Sequence, residues 1–216
     1  MAEIRYVVIE GVIGVGKTSL ARLLGERLRA RLVLEEVEEN PFLEDFYQDR
    51  ERHAFQTQMH FLFNRYQQQR SLRQMELFSE RMVADYLFQK DRIFASLNLS
   101  ERELALYERL VGWLELDVMR PDVVVYLQAS LDTLMNRISR RARPYEREME
   151  RAYIRELSEA YNRYFIHYTD APLLIVNTNG IDFVNNSEDF EDLLERILSH
   201  RGGTVYYAPI ERGAAP

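Results

Sequence analysis

Residues 11–18 read Gly11-Val12-Ile13-Gly14-Val15-Gly16-Lys17-Thr18, with Ser19 next. An apolar run from Ile4 to Ile9 precedes them, and a segment of helical spacing, Ser19-Leu20-Ala21-Arg22-Leu23-Leu24, follows. This is the strand, GxxxxGK[ST] loop and helix of a phosphate-binding P-loop. The glycines let the backbone turn tightly and aim its N–H groups, including those at Val12, Ile13, Val15 and Ser19, at phosphate oxygens. The helix N-terminus adds its dipole to the same anion site. Lys17 is expected to reach the β- and γ-phosphates, and the Thr18 hydroxyl to ligate Mg²⁺.

The remaining composition narrows the class. The chain has 216 residues, 46% hydrophobic and 29% charged, with a net charge of −7 and no cysteine. That suits one globular domain and argues against a general nucleic-acid binder. Disulfides and thiolate metal sites are excluded, as expected for a cytoplasmic protein. No apolar run is long enough to span a bilayer, so no membrane partner is expected. Among 28 basic residues only Lys17 and Lys90 are lysines.

Five short Val/Ile/Leu-rich runs recur: Ile4–Glu10, Leu32–Glu35, Met82–Asp85, Val123–Leu127 and Leu173–Val176. None alternates as a half-exposed strand would, which predicts a parallel sheet covered on both faces. Helical segments near 17–30, 41–49, 53–76, 88–97, 100–119, 130–141, 146–168 and 187–200 separate them. The expectation is an α/β fold with a five-stranded parallel sheet, one domain over 1–201 and a loose tail over 202–216. Val205-Tyr206-Tyr207 could instead dock on the body.

In such a sheet, ligands gather at the carboxyl ends of the strands. After the second run comes Glu35-Glu36-Val37-Glu38-Glu39-Asn40-Pro41-Phe42, and after the third Asp85-Tyr86. The helix after the fourth ends in Arg137, Arg140, Arg141 and Arg143. A phosphate cradle, acidic groups for a metal and a proton, and guanidiniums for migrating charge are the parts of a phosphoryl-transfer site. An acidic run alone reads as solvated surface, and arginines at a helix end as dipole-complementing surface. Their joint placement around one P-loop favours the site.

With these motifs in place, the chain resembles the deoxyribonucleoside kinase family, especially its bacterial purine branch, from about Ile4 to Leu198. The resemblance rests on the P-loop, Leu34 to Leu43, Phe55-Gln56-Thr57-Gln58 with Arg65, Asp85-Tyr86 with Ile93-Phe94-Ala95, and the arginine-rich stretch 137–146. It implies ATP as donor, Mg²⁺, a Lys17-centred P-loop, an arginine-rich lid and a homodimer.

The resemblance assigns roles residue by residue. Glu35 would accept the proton of a nucleoside 5′-hydroxyl, Val37 fixing the register against neighbouring Glu36. Gln58 would read the base, with Arg65 seven residues on and sugar-binding Tyr47 eleven residues back. Gln56 lies about 200° from Gln58 around a helix, so only one of them faces the pocket. Asp85 would hold Mg²⁺ or the 5′-hydroxyl. Tyr86 replaces the family's usual arginine, so another cation must steady the phosphate. Asp91 or Lys90 would face the base. Arg137, Arg141 and Arg143 would clamp the triphosphate, with Ala142 in place of a lid glycine. Glu146 would hold the sugar 3′-hydroxyl, and Asp182 and Phe183 would flank the donor adenine. A neutral amide at Gln58 matches adenine's adjacent donor and acceptor, so deoxyadenosine is the expected substrate. A deoxyguanosine preference, a thymidylate kinase-like enzyme and a nucleotide-binding regulatory module remain the alternatives.

Overall fold

The computed structural model describes residues 3–75, 81–115, 118–146 and 149–209. Six parallel strands form one sheet in the order β2-β3-β1-β4-β5-β6. They are β1 (Tyr6–Gly11), β2 (Arg31–Val33), β3 (Met82–Ala84), β4 (Val123–Gln128), β5 (Leu173–Asn177) and β6 (Thr204–Tyr207). The helices are α1 (Lys17–Leu28), α2 (Leu43–Gln48), α3 (Arg50–Met75), α4 (Lys90–Asn98), α5 (Glu101–Leu114), α6 (Leu131–Arg141), α7 (Arg151–Ile166) and α8 (Ser187–Ser199). Every residue of β1 is buried, as are the first five of β4 and four of β5. Helices cover the sheet on both faces, which is why these runs read as continuous apolar sequence. No helix among the described residues is long and apolar enough to cross a membrane.

β1 lies between β3 and β4. The chain winds outward from it in both directions, and the crevice at that switch point is where an open α/β sheet takes its ligand. Stacked aromatics back the site, with Tyr126 on β4 and Phe165 on α7 4.2 Å apart between ring centroids. Ser100 and Glu103 form a capping box at the start of α5.

Three boundaries depart from expectation. β2 ends at Val33, so Leu34 and Glu35 lie beyond the strand. α5 ends at Leu114, and α7 begins at Arg151 behind a 3₁₀ turn over Pro144–Glu146. The larger correction is the sixth strand. Thr204–Tyr207 extends the sheet along β5, with Leu173 opposite Thr204 and Val176 opposite Tyr207. The Tyr207 hydroxyl bonds the Asp192 carboxylate on α8, and the Arg196 guanidinium lies 4.0 Å from the Tyr207 ring centre. Four residues of the expected loose tail are thus tied to the body, while 210–216 lie outside the described residues.

Candidate active site

A cavity of about 500 Å³ opens at the carboxyl ends of the central strands, the size of a small-molecule site. The P-loop forms one end. Gly11 has φ +150° and Gly14 φ +84°. A Cβ at Gly11 would sit 2.5 Å from the Leu127 carbonyl oxygen, and one at Gly14 would meet Ile138 at 2.7 Å. Only glycine lets the loop lie this close to β4 and α6 in those backbone regions. Lys17 folds back on the loop, its Nζ donating to the Gly11 carbonyl at 2.7 Å. Burial, with the Lys90 charge nearby, pulls the Lys17 pKa down to about 8, although Glu10, Glu35 and Asp85 act against it.

The Thr18 hydroxyl donates to Asp85 Oδ2 at 2.6 Å, and Asp85 Oδ1 accepts the Glu35 backbone N–H at 2.8 Å. Asp85 therefore couples the P-loop to the end of β2. A hydroxyl and a carboxylate so placed suit Mg²⁺, which takes few protein ligands and fills its shell with water and phosphate. Among the described residues no cluster of three acidic or imidazole side chains could cage a metal.

Glu35 lines the same cavity and is held by two cations. Arg65, from α3, donates through Nε to Glu35 Oε1 at 2.9 Å and through a second nitrogen to the same oxygen. Lys90 Nζ lies 2.6 Å from Glu35 Oε2. Burial alone would raise the Glu35 pKa, but the Lys90 and Arg65 charges outweigh it and hold the carboxyl well below its usual range. Glu36 is exposed at the cavity mouth.

Asp91 is fully buried behind the wall. It pairs with Arg65 and accepts the Tyr107 hydroxyl at 2.8 Å. It does not line the cavity, whereas Lys90 does. The expectation that Asp91 faces a base is therefore corrected, because its carboxylate is consumed by Arg65. Arg65 itself lines the cavity but is held by two carboxylates, hydrogen-bonded to Glu35 and ion-paired with Asp91. That makes it a bracket between them rather than a free reader of a base.

Gln58 is buried in the cavity wall, its Nε2 donating to the Asp91 backbone carbonyl at 2.9 Å. A carbonyl can only accept, so this bond fixes which end of the amide is which. Gln56 turns away and bonds His53. Tyr47 lines the cavity, stacked 6.1 Å from Tyr145 at 11° between ring planes. Burial raises its phenol pKa well above normal, with Tyr153, Glu146 and Tyr145 adding to the effect.

The segment after α6 closes the cavity. Arg141 pairs with Glu146, and Arg143 lies 3.3 Å from Glu38, so both guanidiniums meet carboxylates at the cavity rim. Ala142 takes φ +51° at the end of α6, a left-handed conformation that costs a residue bearing a Cβ about 1 kcal/mol. Arg137 departs from its expected role. It donates to the Val15 carbonyl at 2.9 Å and to the Thr178 hydroxyl and carbonyl at 3.1 and 3.2 Å. It thereby braces the P-loop against the loop after β5 and does not line the cavity. Asp182 caps its own turn by accepting from Val184, Asn185 and the Asn185 amide. Phe183 is buried against Gly16. Neither side chain lines the cavity.

Two residues in or beside the site make contacts that the sequence did not assign. Glu10, buried in β1, accepts from the backbone N–H of Gly11 and Leu87 at 2.8 Å each and from the Tyr161 hydroxyl at 3.1 Å. A charged residue inside an apolar strand run was its signal. Lys90, which the sequence offers only as the alternative to Asp91 for facing a base, instead bonds Glu35. Its signal was the rarity of lysine.

Comparison with known proteins agrees with this architecture. The chain is 36% identical over 200 residues to a deoxyguanosine kinase of Bacillus subtilis (strain 168), covering 90% of this chain and 95% of that one. It is 30% identical over 200 residues to a deoxyadenosine/deoxycytidine kinase of the same strain, covering 89% and 91%. The solved structure of deoxyadenosine kinase from M. mycoides with bound dATP superposes with a TM-score of 0.77 at 26% identity, covering 90% of this chain and all of that one. The deoxynucleoside kinase family model matches residues 7–200, from β1 to the end of α8. With a P-loop and a buried carboxylate lining one cavity at the strand ends, this chain belongs to the deoxynucleoside kinase family.

Proposed function

We propose that this enzyme transfers the γ-phosphoryl group of ATP to the 5′-hydroxyl of a purine deoxyribonucleoside, deoxyadenosine foremost, and works as a cytoplasmic homodimer. The observation that carries the acceptor reading is Glu35. Its carboxylate lies in the same cavity as Lys17, its backbone is tied through Asp85 to Thr18, and two cations keep it ionised. A carboxylate there suits a hydroxyl acceptor, whose proton it takes. A monophosphate acceptor would be repelled by Glu35 and by the acidic residues 36, 38 and 39 at the mouth.

Thr18 and Asp85 would hold Mg²⁺, which neutralises charge on the β- and γ-phosphates when bound. Lys17 holds the donor phosphates, Arg141 and Arg143 meet the charge that develops in transfer, and Tyr47 with Glu146 orients the sugar. Gln58, anchored by one N–H, keeps its carbonyl oxygen and second N–H for the base. That pair complements adenine's exocyclic amine and neighbouring ring nitrogen.

The likeness to the Bacillus deoxyguanosine kinase favours deoxyguanosine as the second reading. ADP release measured with the four deoxynucleosides and their monophosphates decides. Highest kcat/KM with deoxyadenosine is expected, highest with deoxyguanosine establishes the second reading, and turnover with monophosphates alone overturns both. Leu106 and Trp113, seven residues apart on α5, are 48% and 71% exposed. These exposed apolar side chains support the dimer, which analytical ultracentrifugation would detect as twice the monomer mass.

A further inference from the structure

Both lysines of this chain lie in one cavity, although 26 of its 28 basic residues are arginine. Lys17 belongs to the P-loop. Lys90 sits where local rules disfavour it. It opens α4, where the helix dipole disfavours a cation, and it is only 3% exposed. A buried cation that breaks two preferences at once marks a site where function decides the residue.

We propose that Lys90 is a further catalytic residue, its ammonium shared between Glu35 and the phosphoryl group in flight. The proposal rests on the acceptor reading above. Lys90 Nζ lies 2.6 Å from Glu35 Oε2 and 5.7 Å from the Phe94 ring centre. Lys17 of the P-loop lines the same cavity and feels the Lys90 charge, so one cavity holds the carboxylate and both ammoniums. One of the three Lys90 N–H donors is engaged on Glu35, which leaves others for a phosphoryl oxygen.

Lys17, Arg22, Arg65, Arg141 and Arg143 line the same cavity, but among the described residues only Arg65 and Lys90 bond the Glu35 carboxylate. Tyr86, directly after Asp85, is wholly buried in the core and contributes no charge. Arg65 is spent on Glu35 and Asp91, and Arg141 and Arg143 are held by carboxylates at the rim. In the transfer, the 5′ O–H bond breaks and its proton passes to Glu35. The 5′-oxygen bonds the γ-phosphorus, and the bond from that phosphorus to the β–γ bridging oxygen breaks, leaving ADP with the electron pair. Lys90 meets part of the negative charge spread over the equatorial oxygens from the Glu35 side, and Arg141 and Arg143 meet the rest from the rim. A small, rotatable ammonium can turn from a carboxylate to a phosphoryl oxygen, as a rigid guanidinium fork cannot.

The test compares wild type with Lys90→Met, Lys90→Arg and Lys90→Ala, each checked for a cooperative thermal transition. Steady-state turnover is measured beside nucleoside affinity by calorimetry without ATP. For Lys90→Met, kcat should fall at least ~10²-fold, with nucleoside Kd within about threefold. Lys90→Arg should keep more activity than Lys90→Met, because it retains the charge. Ethylammonium should restore turnover of Lys90→Ala saturably, which repair of packing by a neutral solute of the same size would not do. Unchanged kcat in Lys90→Met, a loss of nucleoside binding as large as the loss of turnover, or equal rescue by propane would each overturn the proposal. A wild type inactive on all four nucleosides would overturn the acceptor reading itself, whereas an active wild type with an equally active Lys90→Met overturns Lys90 alone.

Discussion

The two ends of the cavity are built on opposite plans. At the donor end, backbone does most of the work, since Gly11 and Gly14 bring the loop close and Lys17 bonds a carbonyl six residues away. At the acceptor end, side chains distant in sequence hold one another. Glu35 meets Arg65 across 30 residues and Lys90 across 55, and Arg65 in turn holds Asp91. The P-loop end holds Lys17 where burial and the Lys90 charge disfavour its positive charge. The acceptor end is electrostatically satisfied before any ligand binds. A phosphate cradle can be written in eight consecutive residues, whereas a positioned base must be assembled from three separate segments.

The sharpest way to break this contrast is at the acceptor end. Glu35→Gln should lower turnover by ~10²–10⁴-fold, the worth of a positioned base, while nucleoside still binds by calorimetry. It should also destabilise the free protein by about 3 kcal/mol, since Lys90 is left buried without its counter-charge. Glu36→Gln should do neither. If Glu36 carried the loss instead, the acceptor end would be mis-registered by one residue.

Lys17→Met should behave oppositely on stability. Turnover should drop at least ~10²-fold, yet the nucleotide-free protein should melt a few degrees higher at pH 7. The Lys17 pKa is about 8 in the folded protein against 10.5 for the ordinary side chain, so folding opposes its charge by at most about 3 kcal/mol. That penalty is complete below pH 8, fades as the folded protein loses its proton, and is gone above 10.5. The gain from Lys17→Met should vanish over the same interval. A variant less stable than wild type at pH 7 would show that Lys17 supports the loop rather than straining it.

The lid should give smaller effects. Arg141→Ala and Arg143→Ala should each reduce kcat ~10-fold or more, with nucleoside Kd little changed, because they act on charge that grows in transfer. Equal losses in both would make them parts of the nucleoside pocket. Smallest is Tyr207→Phe. Loss of the hydroxyl bond to Asp192 should cost about 1 kcal/mol in a denaturant titration, with turnover untouched, since β6 lies at the far edge of the sheet.

The same division explains what could be read without coordinates. The P-loop and five of the six strands were visible as short apolar runs, unbroken where helices bury both faces. The edge strand β6 was not, because Thr204 and Val205 are exposed and its four residues pair outward on one side only. Gln58 was separable from Gln56 by helical phase, and the structure places only Gln58 in the cavity wall. Arg137 and Asp182 read as ligand-binding because their residue types suit phosphate and base. Their partners, the Val15 and Thr178 carbonyls and the 182–185 turn, are set by loops whose paths no local pattern encodes.

By itself, then, the sequence determined what local periodicity and short-range spacing can carry: a parallel α/β sheet, a phosphate loop at its first turn, and acidic and basic clusters at the strand ends. Only the tertiary structure decided how those clusters pair. It placed Lys90 rather than Asp91 in the cavity, turned Arg65 into a bracket, and seated Glu35 between two cations. The physical reason is that a charge buried with its partner lowers its energy only at contact distance. Contact between residues 35, 65 and 90 exists only once three separate elements have packed.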